Sequence, residues 1–323
     1  MAYSHVLAVD LGGTKLAVAL ADREGKLSQQ KSVSVDAGSA LRPVKQIVAV
    51  ARELVGIKDG ATAKIAAIGV AVPGLVRRDG TVWAPNLQGW KKMPLAQRLQ
   101  SALDVPVSVE SDRNAAVLGE TWRGVARGKS DAIVLMLGTG IGAGILSDGR
   151  LVRGAHELSG CAGWMVVADG YDADAKRLGQ LESLGAGPAI AVAAKKGLAR
   201  GMASLLQEIP EDSINAYEVA EAARRGDALA IEVYLEAGRL LGHAVANLVS
   251  LFDPEIVVIG GGLAKASDLF LDALRKAMKE RAQPIAAQKV KLVASGLGED
   301  ANLLGVARLA WETQSKPPRT TRK

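Results

Sequence analysis

A chain of 323 residues, 49% apolar and 23% charged, has the length for two domains or one large one and the makeup of a globular protein. Its charge of +6 does not point to nucleic acid. Much of the excess sits in the tail Lys316-Pro317-Pro318-Arg319-Thr320-Thr321-Arg322-Lys323, and no basic stripe is interleaved with aromatics. No segment has the apolar length to span a bilayer and no basic stretch leads an apolar one, so neither a membrane nor a leader peptide is expected. The single cysteine, Cys161, excludes an intrachain disulfide and fits a reducing cytoplasm.

The first apolar run, 6–9, ends in Asp10-Leu11-Gly12-Gly13-Thr14-Lys15. A strand over 16–21, a polar turn at 22–25 and a strand from Lys26 follow, and such short turns predict antiparallel hairpins. Residues 43–55 have helical spacing, with Val44, Ile47, Val48, Ala51 and Leu54 on one face. Next come a strand over 65–72, a helix over 95–103, a strand over 105–109, and a helix over 114–123 entered from Ser111-Asp112. The run 133–136 leads into a glycine turn over 138–144, then 145–146, the turn Ser147-Asp148-Gly149, and 150–152, repeating the opening plan. Helices are expected over 216–225 and 227–251, the latter stopping before Asp253-Pro254 as proline demands. A strand over 255–259 runs into Gly260-Gly261-Gly262, followed by a helix over 268–281, a strand over 290–294 and a helix over 302–313. Alternating strands and helices predict an α/β fold with mixed sheets, and the repeated opening predicts a duplicated domain.

Each of the three glycine turns ends a strand and exposes backbone N–H groups that can wrap a phosphate. Spread in this order, they suggest a nucleotide held between two lobes. Asp112 lies where a strand gives way to a helix, the place where α/β folds put reactive groups. It is either the N-cap of that helix or the carboxylate that takes a proton from an attacking hydroxyl. Asp10, ending the first strand, is placed to hold Mg²⁺ or to bond its own turn. Lys15 reads as a solvated strand residue more than as a phosphate ligand. Thr14 and Thr139 offer hydroxyls beside the N–H rows or are ordinary strand threonines.

Seven motifs occur in one order. They are Asp10-Leu11-Gly12-Gly13-Thr14-Lys15, Val72-Pro73-Gly74, Pro85-Asn86-Leu87-Gln88-Gly89-Trp90, Ser111-Asp112-Arg113-Asn114-Ala115-Ala116, Leu137-Gly138-Thr139-Gly140-Ile141-Gly142, Leu181-Glu182-Ser183 and Gly260-Gly261-Gly262. Together they resemble the ROK family of sugar kinases and regulators, within the actin-like, RNase H-like ATPase superfamily. The resemblance implies two duplicated RNase H-like domains with mixed sheets around an interdomain cleft. The first lobe would cover 1–118, completed by the helix 302–313, and the second 119–301. Residues 314–323 have the composition of a disordered tail. By the resemblance Asp112 is the general base, and Gly12, Gly13, Thr14, Lys15, Thr139, Gly140 and Gly142 cradle the phosphates of ATP. Gly261 and Gly262 lie near the adenosine, and Gly74, Asn86 and Glu182 contact the sugar. Mg²⁺ arrives with ATP near Asp10, and the chain forms homodimers or homotetramers.

The departures bear on the substrate. Family kinases carry a Glu-Ile-Gly-His stretch and a cysteine cluster that binds zinc; here Cys161 stands for the glutamate and Trp164 for the histidine. Gln180 sits where the last cysteine belongs, and one cysteine with three scattered histidines, His5, His156 and His243, cannot supply the zinc site, so no structural zinc is expected. Ser111 replaces an asparagine common beside the base. Trp164 either stacks on the acceptor or fills the space left by the missing zinc loop, and His156 with Glu157 is a weaker substitute for the lost polar contacts. The leading expectation is a glucokinase-like, ATP-dependent kinase of a hexose or amino sugar. The alternatives are a C7-cyclitol kinase and a non-catalytic sugar sensor without a DNA-binding domain, since only five residues precede the first strand.

Overall fold

The apolar run that opens the chain is a strand buried on both faces. A computed structural model describes residues 3–56 and 65–314, and its described residues divide into two units. Unit 1 takes those of Met1–Gly128, Arg153–Ser159 and Glu299–Lys323; unit 2 takes Lys129–Val152 and Gly160–Gly298.

Unit 1 holds β1 (Val6–Leu11), β2 (Lys15–Ala21), β3 (Leu27–Ser34), α1 (Arg42–Leu54), β4 (Ile68–Val72), the ribbon β5 (Leu75–Val76) and β6 (Val82–Trp83), α2 (Leu95–Leu103), β7 (Val107–Ser111) and α3 (Asp112–Arg123). The sheet order is β3-β2-β1-β4-β7, with β1–β2 and β2–β3 antiparallel and β1–β4–β7 parallel. Along β1 the side chains alternate between two cores, as a strand requires. Leu7, Val9 and Leu11 pack with Ile47 of α1 and Leu95 and Leu99 of α2. Val6 and Ala8 face the other way, against Ala115 of α3 and Leu303, Val306 and Ala310 of the C-terminal helix Asp300–Gln314. That second face is rich in alanine because helices approach it closely. An added Cβ at Gly305 would overlap the carbonyl oxygen of Ala115, and one at Gly119 that of Ala301, so α3 and the C-terminal helix meet backbone to backbone.

Unit 2 repeats the plan. Its elements are β8 (Ala132–Leu137), β9 (Ile141–Ser147), β10 (Arg150–Leu151), α4 (Ala173–Leu178), α5 (Gln180–Gly185), α6 (Gly187–Ala199), α7 (Ala216–Arg224), α8 (Ala228–Phe252), β11 (Ile256–Gly260), α9 (Ser267–Arg281), α10 (Pro284–Lys289) and β12 (Lys291–Ala294). The order β10-β9-β8-β11-β12 again has two antiparallel pairs followed by two parallel ones. Helices α8 and α9 pack with Tyr234 stacked on Phe270 at 6.4 Å. Among the described residues no helix is long and apolar enough to cross a membrane.

Three expectations are corrected, and three helices are added. The glycine turn expected over 138–144 spans only 138–140, because Gly142, Ala143 and Gly144 pair with Met136, Leu135 and Val134 inside the β8–β9 ladder. The helix expected from Asn114 begins at Asp112, since Ser111 already takes the extended N-cap backbone. Helices α4, α5 and α6 had no reading in the sequence. The expected tail begins one residue too early, Gln314 still being helical, and its remainder lies outside the described residues.

The stretch leading into α4 holds no cysteine cluster, and a side-chain amide does the cross-linking. Gln180, 2% exposed, accepts from the amides of Val167 (2.7 Å) and Ala168 (3.0 Å). Its Nε2 donates to the carbonyls of Ala168 (2.8 Å) and Gly170. All of its bonding capacity points into one irregular loop, which is what a glutamine can offer where a metal would otherwise tie the chain. Cys161 is exposed, and no group of three or more His, Cys, Asp or Glu among the described residues is placed to hold a metal ion. The residues present do not fit the family's zinc.

Gln180→Ala strips partners from four backbone groups and is expected to cost about 3 kcal/mol, whereas EDTA leaves the wild-type melting curve where it is; thermal unfolding with and without chelator checks both. Gly305→Ala must push α3 and the C-terminal helix apart and is expected to cost about 3 kcal/mol, lowering Tm by roughly 5 °C. A Gly305→Ala protein that melts with the wild type would refute the backbone contact.

Candidate active site

Asp10 reaches the end of β1 because the β1–β2 ladder continues past it to Leu11. The turn Gly12–Gly13–Thr14 closes with the Gly12 amide donating to the Lys15 carbonyl at 2.8 Å, and the Val35 amide donates to the Thr14 carbonyl at 2.8 Å. Lys15, opening β2, pairs with Glu299 at 2.6 Å; both are more than half exposed, so the pair contributes about 0–1 kcal/mol. Asn86 sits across the turn, its Nδ2 3.0 Å from where a Cβ on Gly13 would lie. Asn302, on the C-terminal helix, donates from Nδ2 to Asp10 Oδ2 at 3.2 Å. Burial pushes the Asp10 carboxyl up to about 7; Asn302 and Lys15 oppose the rise, and nearby Asp112 and Glu299 add to it. The Asn302 Oδ1 is buried without a partner.

Asp112 is the first residue of α3, not its N-cap. Ser111 holds the cap position with extended backbone (φ −67°, ψ 147°) and makes no side-chain cap bond. Asp112 Oδ1 accepts from the amide of Arg113 at 2.8 Å. Burial raises its carboxyl above the ordinary carboxylate range, while the Arg113 amide and guanidinium pull it down. On either side, Ser111 Oγ and Asn114 Oδ1 are buried with no partner. Beneath them lies Glu110, 4% exposed, accepting from the Ser111 amide and from Asn114 Nδ2, each at 2.9 Å, and from Arg153. Gly74, in the left-handed region at φ 89°, turns the chain between β4 and β5, and its carbonyl accepts from Arg113 Nη1 at 3.1 Å. Unit 1 thus brings together Asp10, Asp112 and Lys15, and separately links Gly13 to Asn86 and Gly74 to the start of α3.

In unit 2 the turn at Thr139 and Gly140 is closed by the Gly138 amide donating to the Gly140 carbonyl at 3.0 Å, and the Gly187 amide at the start of α6 donates to the Gly138 carbonyl at 2.9 Å. A cavity of about 890 Å³ opens beside it, lined by Thr139 and Gly262 together with Lys195, Asn215, Tyr217 and Lys265. Gly261, at φ 82°, packs so closely on β8 that an added Cβ would overlap the Leu137 carbonyl oxygen. Gly140, Gly142 and Gly261 do not line the cavity. Gly140 lies against Glu182 instead, whose Oε2 is 2.8 Å from where its Cβ would be and accepts from the Ile141 amide, also at 2.8 Å. Burial raises the Glu182 carboxyl, and that amide opposes the rise. Trp164 is 55% exposed, so it is not a core residue replacing the zinc loop.

The sequence reading missed Asn302, Glu110 and Arg113 in unit 1, and Lys195, Tyr217 and Lys265 in unit 2. Only Asn215 had a local signal: it precedes a helix and caps it, accepting from the amides of Tyr217 and Glu218.

The model of the ROK family matches residues 6–313. A glucokinase of Thermotoga maritima is 32% identical over 313 residues, spanning 95% of this chain and 97% of that protein. A glucokinase of Streptomyces coelicolor is 33% identical over 320 residues, with coverage of 95% and 97%. The crystal structure of a ROK family glucokinase from Streptomyces griseus in complex with glucose and AMPPNP superposes with a TM-score of 0.81 at 32% identity, covering 95% of this chain and 99% of that one. With glycine turns ending β1 and β8, a repeated five-strand order and a family match along nearly its whole length, the chain belongs to the ROK family.

Proposed function

We propose that the chain, an ATP-dependent carbohydrate kinase, transfers the γ-phosphoryl group of ATP to a hydroxyl of a hexose or amino sugar, with Asp112 as general base. One observation carries the reading: a half-buried carboxylate, raised by desolvation, opens α3, with unpartnered polar atoms of Ser111 and Asn114 beside it. Such orphaned atoms are costly unless a ligand completes them. As the acceptor oxygen bonds to phosphorus, the bond from phosphorus to the β-phosphate oxygen breaks, ADP leaves, and the hydroxyl proton passes to Asp112.

The nucleotide reading rests on the cavity beside Thr139 and Gly262, where Lys195 and Lys265 add positive charge. In unit 1 the Asp10 carboxylate and the unpartnered Asn302 Oδ1 suit an oxygen-seeking cation, and these two would hold Mg²⁺ directly or through water. When bound, Mg²⁺ supplies charge neutralisation on the phosphate oxygens. Asp10 itself keeps a full negative charge only above about pH 7 while the site is empty of cation.

On the acceptor side, Gly74, Asn86, Ser111 and Glu182 are the candidate contacts, and polar contacts of this kind discriminate between hydroxyl patterns. A C7-cyclitol acceptor is the second reading. The exposed indole of Trp164 favours it, offering an apolar face where a histidine would offer a hydrogen bond.

Asp112→Asn is expected to reduce kcat by about 10²–10⁴ while the Kd for Mg-ATP changes little; coupled ADP release across hexoses, N-acetylhexosamines and cyclitols measures the first, calorimetry the second. Undiminished turnover in the variant would refute the assigned base. A second expectation concerns pH. Asp10 binds its proton more tightly folded (about 7) than at its ordinary 3.8, so its stabilising contribution is complete below the ordinary value and lost as pH rises through 7. Wild-type Tm should therefore fall between about pH 4 and 7 relative to Asp10→Asn, by an amount on the order of a few kcal/mol in stability. Parallel curves for the two proteins would place the titration elsewhere.

A further inference from the structure

Arg113 follows the proposed base directly, yet its side chain turns away to bind backbone. It is 8% exposed, and its guanidinium donates to three carbonyl oxygens on two separate segments. Nη1 reaches Gly74 (3.1 Å), Nε reaches Ser159 (3.1 Å) and Nη2 reaches Glu157 (3.4 Å). The planar fork of arginine spreads its donors over three nitrogens and so reaches acceptors set apart from one another, which the single nitrogen of lysine cannot. We propose that Arg113 is a positioning residue of the acceptor site, fixing the turn at Gly74 and the strap 153–159 in place around Asp112. The inference rests on the kinase reading above and deepens it.

The strap is built to be held. Although unit 2 strands and the Gly160 stretch flank it in sequence, its contacts belong to unit 1. Glu157 sits at φ 60°, left-handed backbone that a glutamate adopts only when its surroundings impose it. Its carboxylate, only 11% exposed, accepts from Arg78 Nε at 2.7 Å and lies 3.8 Å from Arg153 Nε. Arg153 in turn pairs with buried Glu110. Glu110 holds the Ser111 amide and Asn114, so the network returns to the start of α3, where Asp112 sits. Arg113 closes this ring from the other side. Removing it frees Gly74 and the strap together, and with them the wall on which an acceptor hydroxyl must be aligned with the base.

The test uses the full-length protein with Arg113→Met, which keeps an apolar stem, and Arg113→Lys, which keeps the charge but gathers its donors on one nitrogen that cannot span both segments. Steady-state kinetics with the best acceptor of the panel should show the acceptor KM rising about tenfold or more in both variants, with the KM for ATP moving less than about twofold. Hydrogen–deuterium exchange should quicken in peptides covering both residues 74–76 and 153–159. An unchanged acceptor KM, even with a lowered Tm, would reduce Arg113 to a packing residue and overturn the proposal; so would unchanged exchange in both segments. The exchange comparison needs no turnover. If the wild type phosphorylates no acceptor the kinase reading falls, and the exchange result still decides whether Arg113 holds the two segments.

Discussion

The C-terminal helix and α3 meet without side chains between them, and unit 1 is organised around that contact. Gly119 and Gly305 let the two backbones touch, and the alanines on the facing side of β1 and β2 keep the sheet close to both helices. A larger residue at any of these positions would lift the helices away from β1. Because the helix is so close, Asn302 reaches Asp10, and the first strand of the chain shares a site with its last helix. The start of α3, and so Asp112, is set by the same packing.

Unit 1 also gathers charge that an ordinary core would avoid. Asp10 and Asp112 are both held above the usual carboxylate range by burial, and the Asp112 carboxylate adds to the rise at Asp10. Neither is neutralised by an arginine in a bidentate pair; Lys15 spends its charge on Glu299 at the surface. Perturbed acids in one place, with unpartnered polar atoms nearby, are the pattern of a site kept for chemistry at the expense of stability. The arginines of the neighbourhood serve geometry instead: Arg113 takes carbonyls, while Arg153 and Arg78 take Glu110 and Glu157.

What the sequence revealed followed from local rules. The two hairpin openings showed because short polar turns and apolar strands repeat, and the helix before Asp253-Pro254 showed because proline ends it. The site turns at Gly12 and Thr139 were legible as strand ends. What escaped depended on partners far along the chain. Nothing near Asn302 hints at Asp10, nor anything near Arg113 at residues 157 and 159. Gly142 read as turn because glycine rarely builds strands, yet the ladder with β8 overrides that preference. The helices over 173–199 went unread because small residues blur their periodicity. Gln180 was noticed only as the place of a missing cysteine; its own four bonds are tertiary and leave no local trace.

The return of the last helix to the first unit bears on biosynthesis. A chain emerging from the ribosome presents β1, β2 and α3 long before residues 300–314 exist. Until then the alanine face of that sheet has no cover and Asp10 has no Asn302. Apart from the strap 153–159, unit 2 is continuous from Lys129 to Gly298 and complete in all its strands before the C-terminal helix is made. The strands of the second unit are therefore all made before the helix that closes the first.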